Sequence, residues 1–301
     1  MPSFRAGAVR VRVPATSANL GPGFDSAGLA LALHDDVVVR VTDSGLSIDV
    51  AGQGAGTVAR DEGNLVVASL RAAFDQLGGQ PRGLEVVCAN RIPHARGLGS
   101  SSAAIVAAVV AARALVLGGD QLLDDDGCLQ LANALEGHPD NVAACLRGGA
   151  TFAWDSDGVA GVVRHDVHAD LAPVAFVPAT TSSTKQVRGL LPATVPYADA
   201  VLNASRAALL AHALVSEPAL LHTATEDRLH QQYRAPAMPA TAALVHQLRE
   251  RGIAAVVSGA GPTVLALVTR GARADVAAAR DGWTVLPLDV ESRGAAVVPL
   301  S

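Results

Sequence analysis

The chain of 301 residues is poor in charge: 17% of it is Asp, Glu, Lys or Arg, with 23 basic against 28 acidic residues. The formal net charge of -5 offers no basic footprint, which argues against nucleic acid as a partner. Cysteine is equally scarce. Cys88, Cys128 and Cys145 have neither metal-ligand nor paired spacing, so a zinc module or a disulfide framework is excluded and a reduced, cytoplasmic compartment is expected. Long apolar runs are missing too. Ala103 to Ala112 is wholly apolar, but Arg113 interrupts it well short of the ~20 residues a bilayer span needs. Met1 to Arg12 holds three arginines and no apolar stretch fit for a signal peptide. No membrane partner is expected, and the sequence shows no internal repeat and no low-complexity tract.

What is present is hydrophobic residue, 50% of the chain, which excludes disorder. The length exceeds what one core usually serves, so two domains are expected. The most informative stretch is Pro93-His-Ala-Arg-Gly-Leu-Gly-Ser-Ser-Ser102, followed by an alanine- and valine-rich run. Gly97 and Gly99 let the backbone turn tightly and approach a ligand. The serines fall where a helix begins, with backbone N–H groups still lacking partners. Unpaired donors and the helix dipole both favour an anion there, so the loop is a candidate phosphate site; an ordinary loop with a serine cap is the competing possibility.

Periodicity predicts a half-exposed strand over 9–13 and one or two strands over 29–41. A helix over 64–77 stops at Gly78-Gly79, and a strand over 84–92 enters the glycine-rich loop. Helices are expected over 100–117, 121–135 and 140–146, then a strand over 150–154. The Asp/Gly-rich segment 155–161 is the candidate boundary between domains 1–156 and 157–301. Beyond it a strand over 174–177, helices over 197–215, 218–233, 241–251 and 272–279, and strands over 253–257 and 264–268 suggest a mixed α and β layer, completed by two short strands.

Three further motifs carry polar groups. Pro14-Ala-Thr-Ser-Ala-Asn-Leu-Gly-Pro-Gly-Phe-Asp25 begins at a strand end and brings Thr16, Asn19 and Asp25 onto a rigid support, or else caps local backbone. In Glu136-Gly-His-Pro-Asp-Asn141, Glu136 could ligate Mg²⁺, Asp140 or Asn141 could cap the next helix, and His138 could be structural or touch ligand. Ser258-Gly-Ala-Gly-Pro-Thr263 is a tight turn between apolar strands. Arg188 and Arg234 are cations that could serve a site or lie in solvent.

In this order and spacing, from about Val11 to Thr263, the motifs resemble those of the GHMP kinases, and within them the branch that phosphorylates L-homoserine. The resemblance implies a two-domain α+β fold: an N-terminal α/β domain with the phosphate loop and a C-terminal ferredoxin-like domain, with the site between them. It implies that Pro93, Arg96, Gly97, Leu98, Gly99, Ser100, Ser101, Ser102, Gly259 and Gly261 surround ATP, with Asn64 on the adenine side. Ser101 and Glu136 would hold Mg²⁺, although Ser102 stands where the family commonly has alanine. Asn19, Asp25, His138, Asp140, Asn141, Thr184, Arg188 and Arg234 would line the acceptor pocket. Asp25 would face the ammonium, and Arg188 and Arg234 the carboxylate. Thr16, Asn141, Asp140 and Arg188 would be the catalytic groups, with no committed general base. A homodimer is implied as well. Another small alcohol as acceptor, or a non-catalytic nucleotide-binding relative, are the alternatives.

Overall fold

The computed structural model describes residues 2–300, except the side chains of Thr184 and Lys185. The chain opens with strands β1 (Ala8–Asn19), β2 (Gly23–Thr42) and β3 (Gly45–Gly52), then helix α1 (Leu65–Gln76) and strand β4 (Gly83–Asn90). Four helices follow: α2 (Ser100–Leu115), α3 (Gly119–Leu122), α4 (Asp125–Glu136) and α5 (Pro139–Arg147). A hairpin of β5 (Ala150–Ser156) and β6 (Val159–His165) precedes β7 (Val174–Pro178). Then come α6 (Thr184–Arg188), α7 (Tyr197–Val215), α8 (Leu221–Ala224), α9 (Gln231–Arg234) and α10 (Pro239–Glu250). Strands β8 (Ala254–Val257) and β9 (Val264–Leu267), helix α11 (Arg273–Val276), and strands β10 (Trp283–Pro287) and β11 (Ala296–Val298) complete the fold.

The first unit is a seven-stranded sheet ordered β11-β1-β2-β4-β3, with β5 on β2 and β6 on β5. Strand β2 serves two partners on one side: Asp36 to Thr42 pair with β4, and Ala27 to Leu29 pair with β5. Pairings in this sheet are antiparallel except β3 with β4, which α1 connects. Helix α2 fills the middle of this unit. Its Ile105 to Ala112 are at most 4% exposed, so the uninterrupted apolar run is that of a helix buried all round. Cys88, Cys128 and Cys145 are buried free thiols; burial pushes the first two up to about 11, so they stay protonated.

The second unit is a four-stranded sheet ordered β10-β7-β9-β8, antiparallel throughout. Numbered within the unit, that order is 4-1-3-2, with helices after its first and third strands, which is the ferredoxin-like arrangement. A cluster around Phe176, Leu244, Leu248 and Val264 fills its core.

Residues 156 and 157, where a boundary is expected, lie inside a hairpin of the first sheet. Asp157 and Gly158, at φ 54° and 83°, form the two-residue turn of the β5–β6 hairpin, with Ser156 opposite Val159. An Asp-Gly turn suits this because both positions need positive φ. The passage to the second sheet comes only after His165, and β11 returns to the first. Among the described residues no helix is long and apolar enough to cross a membrane.

Candidate active site

The glycine-rich loop is clasped between the two units. Ser258 Oγ donates to Gly97 O at 2.6 Å, Thr263 N to Arg96 O and Ser182 N to Ala95 O. Ala95, Gly97 and Gly99 have φ of 53°, 77° and 71°, an alternation that lets successive N–H groups converge on an anion. Glycine is required at two of these positions for space as well as conformation. A Cβ on Gly97 would meet Ser258 O, and one on Gly99 would meet Thr16 Oγ1. Gly99 is then the N-cap of α2 and makes no side-chain cap, so the first-turn N–H groups of this 16-residue helix face outward.

Two chambers meet at that helix end. One, of about 430 Å³, is polar and lined by Asn19, Asp25, His138, Asp140, Asn141, Arg188 and Arg234 with Gly97, Gly99, Gly259 and Gly261. The other, of about 390 Å³, has Val37, Val50, Val58, Asn64, Asn90 and His94 in its wall. Ala95, Ser100 and Ser101 belong to both. Asn64 caps α1 by accepting from Val66 N at 3.0 Å, so it holds the second chamber's wall in place.

The loop at residues 19–25 is wound by three non-glycine residues in left-handed conformation: Asn19 (φ 69°), Leu20 (φ 46°) and Asp25 (φ 54°). Such backbone persists only where the surroundings over-determine it. Here Asn19 Oδ1 accepts from Asp25 N at 3.0 Å, and Asn19 Nδ2 donates to Gly259 O at 2.9 Å. Asp25 is thereby held at the polar chamber. Its carboxylate takes two hydrogen bonds from Arg188, of 2.8 and 2.6 Å, which raise the guanidinium's pKa further.

Arg234 is 2% exposed, and burial lowers its pKa, with the nearby Arg188 charge adding to the effect. The two guanidiniums stand 5.4 and 5.2 Å from the ring centre of Phe24. Their expected convergence is therefore found, and two neighbouring cations make the space beside them favourable to an anion.

At the start of α5, Thr16 Oγ1 donates to Asn141 Oδ1 at 2.7 Å. Asp140, 2% exposed, accepts from Asn141 N at 2.8 Å and contacts His138 Nδ1 at 2.6 Å. That hydrogen bond, against the effect of burial, raises the His138 pKa. At the mouth of α2, Ser101 Oγ and Ser102 Oγ donate to the two carboxylate oxygens of Glu136 at 2.9 and 2.7 Å. Ser101 is exposed to the chambers, whereas Ser102 is fully buried.

Three loop residues have further surroundings of their own, Arg96 while also lining the polar chamber. Pro93 faces another cavity, beside Val177, Pro178 and Trp283, because the chain reaches the chambers only after it. The Arg96 guanidinium is spent on the carbonyls of Pro178, His94 and Ala179, tethering the loop to β7. The Leu98 side chain is fully buried and anchors the loop from below, while its carbonyl accepts from Thr16 N. Thr184 lies outside the described side chains. Periodicity gave no hint of Ser182, His94 or His230 beside the site; His230, four residues before Arg234, had only helical spacing to signal it.

Comparison with known proteins places this geometry. The family model for the GHMP kinases N terminal domain matches residues 64–149, and that for GHMP kinases C terminal matches residues 205–280. The chain is 62% identical to a homoserine kinase of Streptomyces avermitilis, over 100% of this chain and 99% of the relative. It is 61% identical to one of Streptomyces coelicolor, over 100% and 97%. The crystal structure of a homoserine kinase from Cytophaga hutchinsonii superposes with a TM-score of 0.84 at 27% identity, covering 99% of each chain.

Proposed function

The chain belongs to the homoserine kinases of the GHMP kinase superfamily, and from that membership we propose how its cleft transfers the γ-phosphoryl group of ATP to the hydroxyl of L-homoserine. The products are ADP and O-phospho-L-homoserine, an intermediate toward threonine. The observation that carries the proposal is that one helix N-terminus, at Ser100 and Ser101, forms part of both chambers. A nucleotide lying in the less polar chamber sets its phosphates on the α2 amides, and the polar chamber then holds the acceptor within reach of them.

The acceptor is a zwitterion bearing a hydroxyl. Arg188 and Arg234 receive its carboxylate, for which guanidinium offers paired, charge-assisted hydrogen bonds. Asp25 receives the ammonium, and Asn19, His138, Asp140 and Asn141 close the pocket. Phosphoryl transfer asks mainly for alignment and neutralisation of charge. The site matches that demand, since its buried carboxylate is already engaged: Asp140 is occupied by His138 and Asn141, and Thr16 is bound to Asn141. Transfer through a loose transition state needs little activation of the hydroxyl. Thr16 and Asn141 orient it instead.

Glu136 and Ser101 fit Mg²⁺. They offer hard oxygen donors beside the helix end, and Glu136 already gathers two hydroxyls. Mg²⁺ is commonly held by one or two protein oxygens plus substrate phosphates. Bound there, it would supply neutralisation of the phosphate charge. The resemblance further carries a cytoplasmic homodimer, which light scattering on purified protein tests for subunit number.

Incubation of the purified protein with ATP, Mg²⁺ and L-homoserine should release ADP and form the phosphate ester. No ADP above the homoserine-free control would end the proposal, and faster release with a different small alcohol would redirect it.

A further inference from the structure

His230 is fully buried and has no part in the chemistry above, yet both of its ring nitrogens are committed. Nε2 lies 2.9 Å from Gly21 O, and Nδ1 lies 3.2 Å from Arg234 Nη1. A carbonyl can only accept, so Nε2 carries the hydrogen; a guanidinium can only donate, so Nδ1 presents its lone pair. These two bonds specify the neutral ring and one tautomer of it. Asp227 Oδ2, 3.7 Å from Nε2, is engaged by the backbone N–H groups of His230 and Gln231.

The remaining hydrogen-bond partners of Arg234 are also uncharged. Nη1 donates to Gly259 O at 3.2 Å, and the guanidinium stands over Phe24, whose ring lies 5.2 Å from that of His230. Nε is buried with no hydrogen-bond partner among the described residues. A buried cation fixed by a carbonyl, an imidazole and an aromatic face is held in place with no carboxylate bonded to it; Asp25, Asp227 and Asp140 act on it only through space. An anion entering the chamber therefore meets a guanidinium that no carboxylate already occupies.

We propose that His230 is a positioning residue that holds Arg234 toward the substrate carboxylate through a neutral acceptor, leaving the guanidinium free of a bonded carboxylate. The proposal rests on the homoserine reading of the polar chamber. It also explains why a histidine suits position 230: an acidic residue would cancel the charge, and an apolar one would leave the guanidinium unsupported.

Two near-isosteric substitutions separate holding from neutralising. In His230→Asn the amide oxygen takes the place of Nδ1 as a neutral acceptor. In His230→Asp the acceptor is kept but carries a charge. Both lose the Gly21 bond equally, and thermal melting compares how well they fold. The Asn variant should keep KM for homoserine within about threefold of the parent, while the Asp variant should raise it about thirtyfold, the worth of one charge-assisted contact. KM for ATP should stay unchanged in both. Equal homoserine KM values in the two variants, or losses shared with ATP, would overturn the role given to His230. Absence of homoserine turnover in the parent protein would instead overturn the substrate reading itself.

Discussion

Asp25 and Arg188, on segments 163 positions apart, satisfy each other's charge through two hydrogen bonds at the polar chamber. On the proposed reading, the pair occupies the space in which a zwitterion would set its ammonium and carboxylate. An incoming amino acid can exchange with it, ammonium to Asp25 and carboxylate to Arg188, without stranding either charge. A ligand carrying only one of those groups leaves a partner unmatched.

Asp25→Asn should therefore raise KM for homoserine on the order of 30-fold, the scale of a hydrogen bond to a charged group, with KM for ATP little altered. The charge-swapped double variant Asp25→Arg, Arg188→Asp keeps a pair but reverses the electrostatics facing the ligand. Steady-state kinetics on both variants decides the matter. Full homoserine turnover in the swapped protein would mean that the pair only tethers α6.

Glu136 receives both serine hydroxyls, but only Ser101 opens onto the chambers. Ser101→Ala should raise the Mg²⁺ concentration needed for half-maximal rate, and Glu136→Gln should do so more strongly, with kcat falling on the order of 100-fold. Ser102→Ala should leave the metal dependence unchanged, because that hydroxyl is buried. A metal titration in which Ser102→Ala outweighs Ser101→Ala would reverse the assignment.

Gly99→Ala combines a left-handed backbone with a Cβ directed into Thr16 Oγ1. Gly137, at φ 92°, caps α4, and a Cβ there would meet nothing within 4 Å, so alanine at that position carries conformational strain alone. Chemical denaturation should show Gly137→Ala costing about 1 kcal/mol and Gly99→Ala more, about 2 kcal/mol or above. Only Gly99→Ala should also abolish phosphoryl transfer, since the clash displaces Thr16 from Asn141.

Much of this was legible in the chain because local chemistry decided it. The helix expected over 64–77 begins one residue later with Asn64 as its cap, the one expected from Ser100 begins there, capped by Gly99 rather than by a serine, and the helix over 197–215 matches α7 to the residue. The expected helix over 218–233 forms only in pieces, a 3-10 turn at Pro218–Leu220, α8 and α9, interrupted over 225–230. Asp227 accepts from the N–H groups of Leu229, His230 and Gln231, and Asn203 accepts from Arg228 N, so side chains take the backbone partners a continuous helix would supply. The helix over 121–135 is likewise broken where Asp124 caps Gly127 N. The opposition of Asp25 and Arg188 was out of reach for another reason: it depends on how α6 lies over the first sheet, which no short-range pattern encodes.

Asp36 is 4% exposed and contacts Arg10, Arg12 and Arg91. Burial pushes its carboxyl up, but the three guanidiniums outweigh that and hold it well below the usual range. A depressed folded value means the stabilisation is present above the unfolded carboxyl's pKa and is lost as pH falls through the folded one. Asp36→Asn should cost about 2 kcal/mol at pH 7, less than a fully buried pair because Arg12 and Arg91 reach solvent. The gap should narrow below about pH 4, where the unfolded carboxyl protonates. Denaturant midpoints across that range measure it, and a gap that widens in acid would contradict the assignment.

His138 behaves with the opposite sign. Its hydrogen bond to Asp140 raises the imidazole's pKa in spite of burial. A raised folded value means the pair's stabilisation is complete below the unfolded imidazole's pKa of about 6.5 and is lost as pH rises through the folded value. The unfolding free energies of the parent and His138→Gln should therefore differ most near pH 6, by about 1 kcal/mol, and converge near pH 9. The protonated ring also adds a positive charge to the chamber proposed to receive the substrate carboxylate, so KM for homoserine should rise over the same pH interval. That rise should disappear in His138→Gln and shift to lower pH in Asp140→Asn, where the raising partner is gone. NMR titration of the ring reports the group directly: a midpoint at or below that of an ordinary histidine in the parent protein would refute the coupling, whatever the kinetics showed.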